Sequence, residues 1–211
     1  VLDEFERPDD GRRVRGESMG TVTGFVREFV KSPTTTAAVG PSSRQLARRM
    51  VEPVPIAGDP VIVELGPGTG AFTREIQRRL HGRGRHLAVE LNERWARELG
   101  ERFPAVESVC ADAHVLPGLL ADRDVRADVV VSGLPWAAHV ERDGRSLVEV
   151  IAESMAPDGA FTQFAYTWTR WAAPARRLRT QVDEAFAEVE VSPTVWRNVP
   201  PAVAYVARRP R

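Results

Sequence analysis

Residues 60–70 read PVIVELGPGTG. The first half is a continuous run rich in β-branched side chains, the pattern of a strand buried on both faces. The second half places Gly66, Gly68 and Gly70 in the turn that opens a helix predicted over residues 71–81. Glycines there allow positive φ and let a ligand come close to the backbone. Such a ligand sits at the carboxyl edge of the sheet, beside free helix N–H groups. The spacing is GxGxG, not the GxGxxG of dinucleotide binders, and no GK[ST] marks a P-loop. An acid, Glu90, ends the next strand, 20 residues after Gly70. A carboxylate at that place binds two ribose hydroxyls through its two oxygens. Another acid, Asp112, follows the third strand in Cys110-Ala111-Asp112-Ala113, where an acceptor takes the amino hydrogen of an adenine ring.

Outward from this core the pattern alternates. Strands are predicted at 86–91, 106–111, 127–132 and 159–166, and helices at 93–103, 145–155 and 174–187. Two strands, 189–196 and 202–207, follow with no helix between them. That order means a three-layer α/β sheet with an antiparallel edge. Upstream, residues 1–17 are charge-dense and read as a disordered leader. Residues 18–52 form a helical segment that serves as membrane contact or lid, and residues 53–211 form the main domain. In residues 18–31, Met19, Val22, Phe25, Val26, Phe29 and Val30 share one helical face. Ser42 is the expected N-cap of the next helix, with Gln45 at the capping-box position.

The chain has 211 residues, enough for one domain with a full core. Its 29 basic and 29 acidic side chains cancel. The balance argues against an all-over polyanion binder, yet it is uneven. Residues 53–167 hold 12 basic and 17 acidic side chains, whereas residues 168–181 hold four arginines and no acid. That second stretch continues an aromatic run: Phe161, Phe164, Tyr166, Trp168 and Trp171. Phe161 and Phe164 are expected in the core. Trp168 and Trp171 are expected at the rim, where tryptophans beside arginines suit a lipid headgroup interface or stacked bases. One cysteine, Cys110, excludes an internal disulfide and suits a reducing compartment.

Together ELGPGTG, Glu90 and Asp112-Ala113 resemble the S-adenosylmethionine (SAM) sites of class I methyltransferases over about residues 60–208. The resemblance implies a Rossmann-like fold with a seven-stranded, mostly parallel sheet and an antiparallel last strand. It implies SAM across Gly66–Gly70, with Glu64 near the methionine ammonium and Ser132 at the edge facing the methyl. S-adenosylhomocysteine would be the product, and no metal ligand is assigned.

The fourth strand ends in Ser132-Gly133-Leu134-Pro135-Trp136. Ribosomal RNA adenine N6-dimethyltransferases carry an Asn before Leu-Pro-aromatic; here that position is Gly133. SGLP-aromatic is similar to the bacterial phospholipid N-methyltransferases. So are residues 28–50 (EFVKSPTTTAAVGPSSRQLARRM), QFAY at 163–166 and VWRNVPPA at 195–202. That resemblance implies methylation of the amine of phosphatidylethanolamine or its methylated forms. It implies a cytoplasmic enzyme peripherally associated with an anionic membrane, with nucleic acid not the partner.

Trp136 is expected to wall the acceptor pocket and Tyr166 to orient the amine, with His139 a second candidate. Phe25, Phe29, Lys31, Arg44, Leu134, Pro135 and Arg197 are expected at the substrate and membrane side. Arg197 and Asn198 either bind a phosphate or pin the last hairpin. Competing expectations are an RNA methyltransferase, a small-molecule N- or O-methyltransferase, and a binding module without turnover.

Overall fold

The computed structural model of the protein describes residues 42–135 and 141–211. In chain order its elements are α1 (Arg44–Met50), β1 (Val61–Leu65), α2 (Ala71–Leu80), β2 (Arg85–Glu90), α3 (Glu93–Arg102) and β3 (Glu107–Cys110). A 3-10 turn (Ala113–Val115) leads into α4 (Leu116–Ala121), β4 (Ala127–Ser132), α5 (Leu147–Glu153) and β5 (Met155–Tyr166). A second 3-10 turn (Thr167–Thr169) precedes α6 (Ala173–Ala185), β6 (Phe186–Val191) and β7 (Ala202–Pro210). The seven strands lie in the order β3-β2-β1-β4-β5-β7-β6. Strands β1 to β5 run parallel; β7 is antiparallel to both its neighbours.

The period-two geometry of a strand divides the core. On β1, Val63 and Leu65 face α4, α5 and α6, together with Leu87, Val130 and Phe161. Ile62 turns the other way and meets α1 and α2 through Met50, Phe72 and Ile76. Ile62, Val63 and Leu65 are fully buried, each contributing about 1.5–3 kcal/mol of transfer free energy. Glu64 alternates with them and so enters the α2 face. Helix α1 shares the core of that face through Leu46, Ala47 and Met50.

Four local expectations are corrected. The N-cap of α1 is Ser43, not Ser42: the Ser43 Oγ accepts from the Leu46 N–H, while the Ser43 N–H donates to Asn198 Oδ1 at 2.8 Å. That tertiary bond makes Ser43 the last non-helical residue. Helix α4 lies between the third and fourth predicted strands, where no helix was expected; Pro117 sits in its first turn, where a missing N–H costs nothing. Strand β5 starts at Met155, four residues early, with a register shift between Ala127↔Met155 and Val129↔Ala160 that takes up Pro157-Asp158-Gly159. Strand β6 begins at Phe186 and ends at Val191, earlier than expected, because Phe186 packs on Phe161 at 5.8 Å between ring centroids.

Candidate cofactor and acceptor site

The parallel strands end in one row: Leu65 beside Ser132, and Ser132 beside Gln163. After β1 the chain turns at Gly66, whose φ is +66°. The Gly66 N–H donates to the Val89 carbonyl at 2.9 Å. After β4 the Gly133 N–H donates to the Leu65 carbonyl at 2.7 Å. These two turns therefore lie back to back. A Cβ at Gly133 would stand 2.5 Å from the Gly66 carbonyl oxygen, which is rigid backbone. The close approach of the two turns requires glycine at 133.

Gly70 begins α2 in the left-handed conformation and supplies no side-chain cap. The first N–H groups of α2 are thereby left for a ligand. Beneath the turn, Glu64 is fully buried. Its Oε2 accepts from the Thr73 hydroxyl at 2.7 Å and lies 3.2 Å from His86 Nε2. The other nitrogen of His86 meets Gln77 Nε2 at 2.9 Å. Glu64 Oε1 is buried with no hydrogen-bond partner.

Glu90 ends β2 and is nearly buried. Its two oxygens accept from the N–H groups of Gly68 (3.2 Å) and Asn92 (3.0 Å). Burial raises its pKa above the ordinary carboxylate value, and the nearby Glu64 charge adds to this; hydrogen bonds from Asn92, Gly68 and Leu91 oppose the rise without cancelling it. Asp112 lies beside it, since Glu90 pairs with Cys110 in register. Burial acts to raise the Asp112 pKa, but backbone and side-chain hydrogen bonds from His114 and the Arg142 charge outweigh it, and the carboxyl stays below its ordinary value. Asp112 Oδ1 accepts from the His114 N–H at 2.9 Å, and Oδ2 pairs with Arg142 at 3.1 Å. Ala113 follows as the first residue of the 3-10 turn.

On the acceptor side, Gln163 Nε2 donates to the Leu134 carbonyl at 3.0 Å and holds the Gly133-Leu134 turn. Ser132 is fully buried and its Oγ accepts from the Leu134 N–H at 3.4 Å. Ser132, expected at the edge facing the methyl, shapes this turn from inside. Tyr166 ends β5, half-buried, edge-on to Phe164 at 5.4 Å. Phe164 is in turn edge-on to Phe72 of α2 at 6.0 Å. This aromatic row joins the start of α2 to the end of β5. Phe164 is therefore a partly buried member of the row, packed against the core. Burial raises the Tyr166 pKa above 10, so its hydroxyl is neutral at physiological pH.

Pro135 is half-buried beside Leu134. Trp136 and His139 lie outside the described residues, as do Phe25, Phe29 and Lys31. Arg44 is turned to Glu75 at 3.3 Å, a carboxylate it shares with Arg48 and Arg78. Arg197 is exposed. Its neighbour Asn198 is the pin: buried, it accepts from the Ser43 N–H and donates to the Pro200 carbonyl at 2.7 Å.

Thr73, His86, Asn92, Arg142 and Gln163 were not found from the sequence. Only Asn92 carries a local signal, since its side chain accepts from the Trp95 N–H to cap α3; Gln163 falls opposite Ser132 only once the two strands are aligned.

The donor set fits SAM: an unpartnered buried carboxylate oxygen under a glycine turn, and two acids at adjacent strand ends. This fold and this site define a SAM-dependent methyltransferase of class I. A family model described as a methyltransferase domain matches residues 62–159. An O-methyltransferase family protein from Burkholderia thailandensis is similar in fold, with a TM-score of 0.59 at 14% identity, over 92% of this chain and 60% of that one. A SAM-dependent O-methyltransferase from Thermotoga maritima has a TM-score of 0.58 at 16% identity, over 88% of this chain and 71% of that one. The ornithine lipid N-methyltransferase of Singulisphaera acidiphila is 35% identical over 188 residues, 87% of this chain and 94% of that protein. The chain belongs to the same family of SAM-dependent methyltransferases as that enzyme. Among the described residues no helix is long and apolar enough to cross a membrane.

Proposed function

We propose that the protein N-methylates the amine of a lipid headgroup at a membrane surface, with phosphatidylethanolamine and its partly methylated forms, or an ornithine lipid, as acceptors. The observation that carries this reading is the 35% identity along 94% of a lipid N-methyltransferase. The Gly133 turn supports it against an RNA acceptor. The asparagine expected of rRNA adenine dimethyltransferases at this place would drive a Cβ to 2.5 Å from the Gly66 oxygen.

Glu64, Gly66, Gly68, Gly70, Glu90 and Asp112, with the Ala113 backbone, would hold SAM. When bound, SAM supplies a methyl group activated by the sulfonium. The chain's own part is positioning and drying. An alkylammonium has an ordinary pKa of about 10.4 and attacks only after losing a proton. Removal from water lowers that pKa. The row Phe72-Phe164-Tyr166 provides an apolar wall, and the neutral Tyr166 hydroxyl accepts or donates a hydrogen bond without acting as an anionic base. Trp136, which follows Pro135 in the sequence, is the proposed aromatic partner of methylated cationic products through cation–π attraction. His139 is the second candidate for orienting the amine. Phe25, Phe29 and Lys31, on the segment 18–31, make the N-terminal membrane contact of a peripheral, cytoplasmic enzyme.

The test uses radiolabelled SAM with vesicles containing phosphatidylethanolamine or ornithine lipid, followed by product separation. Label in one of the lipids is expected, and Trp136→Ala reduces it. Label in RNA or in a water-soluble amine, with none in lipid, overturns the proposal.

A further inference from the structure

Four of the most exposed apolar side chains collect at the carboxyl edge, on the β5–β7 side. Trp168 is 67% exposed, Trp171 79%, Trp196 76% and Val199 80%. Among the described residues only Ile56, before β1, is a large apolar side chain of comparable exposure elsewhere. The two segments that carry them are tied together. The Thr167 N–H donates to the Pro201 carbonyl at 2.9 Å, and Tyr166 pairs with Ala202 in register. Val195 bridges to Ala202. Arg176 Nη1 donates to the Trp171 carbonyl at 2.9 Å and steadies that turn.

Charge accompanies the apolar surface. Residues 167–182 and 192–201 contain no acid, and Arg170 and Arg197 are exposed on them. Solvating three tryptophans and a valine on one edge is unfavourable in water. Tryptophan prefers the headgroup depth of a bilayer, and arginine on such a surface is drawn to anionic lipid. The position matters equally. Tyr166 immediately precedes this patch, so the patch adjoins the acceptor side of the site and not the β1–β3 side.

We propose that Trp168, Trp171, Trp196 and Val199, with Arg170 and Arg197, form an interfacial docking face that seats the acceptor mouth on an anionic bilayer. This rests on the lipid reading of the site and adds to it a second membrane contact, independent of residues 18–31. The tryptophans enter the headgroup layer, and the two arginines give the face its preference for negative charge.

The experiment compares the full chain with the variant Trp168→Ser/Trp171→Ser/Trp196→Ser. Three readouts are taken: sedimentation with vesicles of equal parts phosphatidylglycerol and phosphatidylcholine, SAM affinity, and methylation of a short-chain acceptor lipid below its micelle concentration. The expected result is a loss of vesicle affinity of about tenfold or more, with SAM affinity and short-chain methylation within about twofold. Arg170→Glu/Arg197→Glu should remove the preference for phosphatidylglycerol over pure phosphatidylcholine. Unchanged sedimentation of the triple variant overturns the docking face. So does binding to single-stranded RNA in place of vesicles. If the triple variant loses SAM affinity, Trp171→Ser alone is read against the same vesicles, and unchanged binding there also overturns it. Loss of vesicle binding in a protein that methylates neither lipid supports the face and overturns the lipid-methylation reading.

Discussion

The two halves of the sheet's carboxyl edge solve different problems. Over β1, β2 and β3 the edge is built from backbone turns and carboxylates: Gly66 at φ +66°, Glu64 buried, Glu90 accepting from two N–H groups, and Asp112 held by His114 and Arg142. Over β5 and β7 the edge is aromatic and basic, with Tyr166 half-buried and Trp168, Trp171 and Trp196 exposed. The first half presents fixed acceptors to a polar ligand. The second exposes large aromatic surface beside arginines, the face proposed to meet an anionic bilayer. Gly133 stands between them, its N–H on Leu65 and its Cα against Gly66. Charge follows the same division: residues 53–167 hold 12 basic and 17 acidic side chains, residues 168–181 four arginines and no acid.

If the halves are separable in this way, damage to one should spare the other. The largest effect is expected for Glu90→Ala. Two hydrogen bonds to an ionised group are worth about 1.5–3 kcal/mol each. SAM affinity should therefore fall by at least about a hundredfold in calorimetry, while vesicle binding stays as in the wild type. A loss of both would join the halves.

Gly133→Asn should come next, and it strikes the boundary. The new Cβ meets a backbone oxygen at 2.5 Å, so one of the two turns must move, at a cost of about 1–3 kcal/mol. A denaturant midpoint below wild type and weaker SAM binding are expected together. An undisturbed midpoint would mean that the two turns are not as tightly opposed as drawn.

The legibility of the sequence divides along the same line. The β1 run, the glycine turn and Glu90 declare themselves because strand burial and positive φ restrict residue choice locally. Asp112 follows from register with them. The acceptor half is assembled by long-range contacts that leave no local trace. Gln163 is recognisable only when β5 is laid beside β4, and Asn198, read as a phosphate ligand or a hairpin pin, gains its partner only when the last hairpin meets Ser43. Helix α4 is hidden by Pro117-Gly118, residues that end helices in the interior and are tolerated in a first turn. The start of β5 is hidden by a bulge with the composition of a loop. Thr73 and His86 look like ordinary helix and strand residues until Glu64 is placed between them.

A pH dependence tests the cofactor half without mutation. The Glu90 pKa is raised, so its protonation begins at a higher pH than for an ordinary carboxyl. In the proposed site the form that accepts the ribose diol is the anion. SAM affinity should therefore rise with pH above 4.5 through that raised value and level off beyond it, by up to about tenfold per pH unit on the steep part. The ligand-free protein should show the opposite sign. A raised acid pKa means that the folded state holds its proton longer than the unfolded chain, so the Glu90 contribution to stability is lost as pH rises through the same window. Thermal shifts with and without SAM across this range should diverge as pH increases, and Glu90→Gln should flatten the divergence.

The smallest effect belongs to the acceptor half. Tyr166→Phe keeps the ring against Phe164 and removes only the hydroxyl. A neutral hydrogen bond contributes about 0.5–1.5 kcal/mol, so kcat for lipid methylation should fall about twofold to tenfold, with SAM affinity and vesicle binding unchanged. Because burial holds the hydroxyl pKa above 10, the wild-type rate should show no tyrosine titration between pH 7 and 9, a range set by the ordinary value of about 10. Tyr166→Phe with full activity would reduce the residue to a wall. Tyr166→Ala would then still be slower, because removing the ring opens the row from Phe72 to water. The difference between the two substitutions separates orientation of the amine from exclusion of solvent, the two services this half of the edge is proposed to supply.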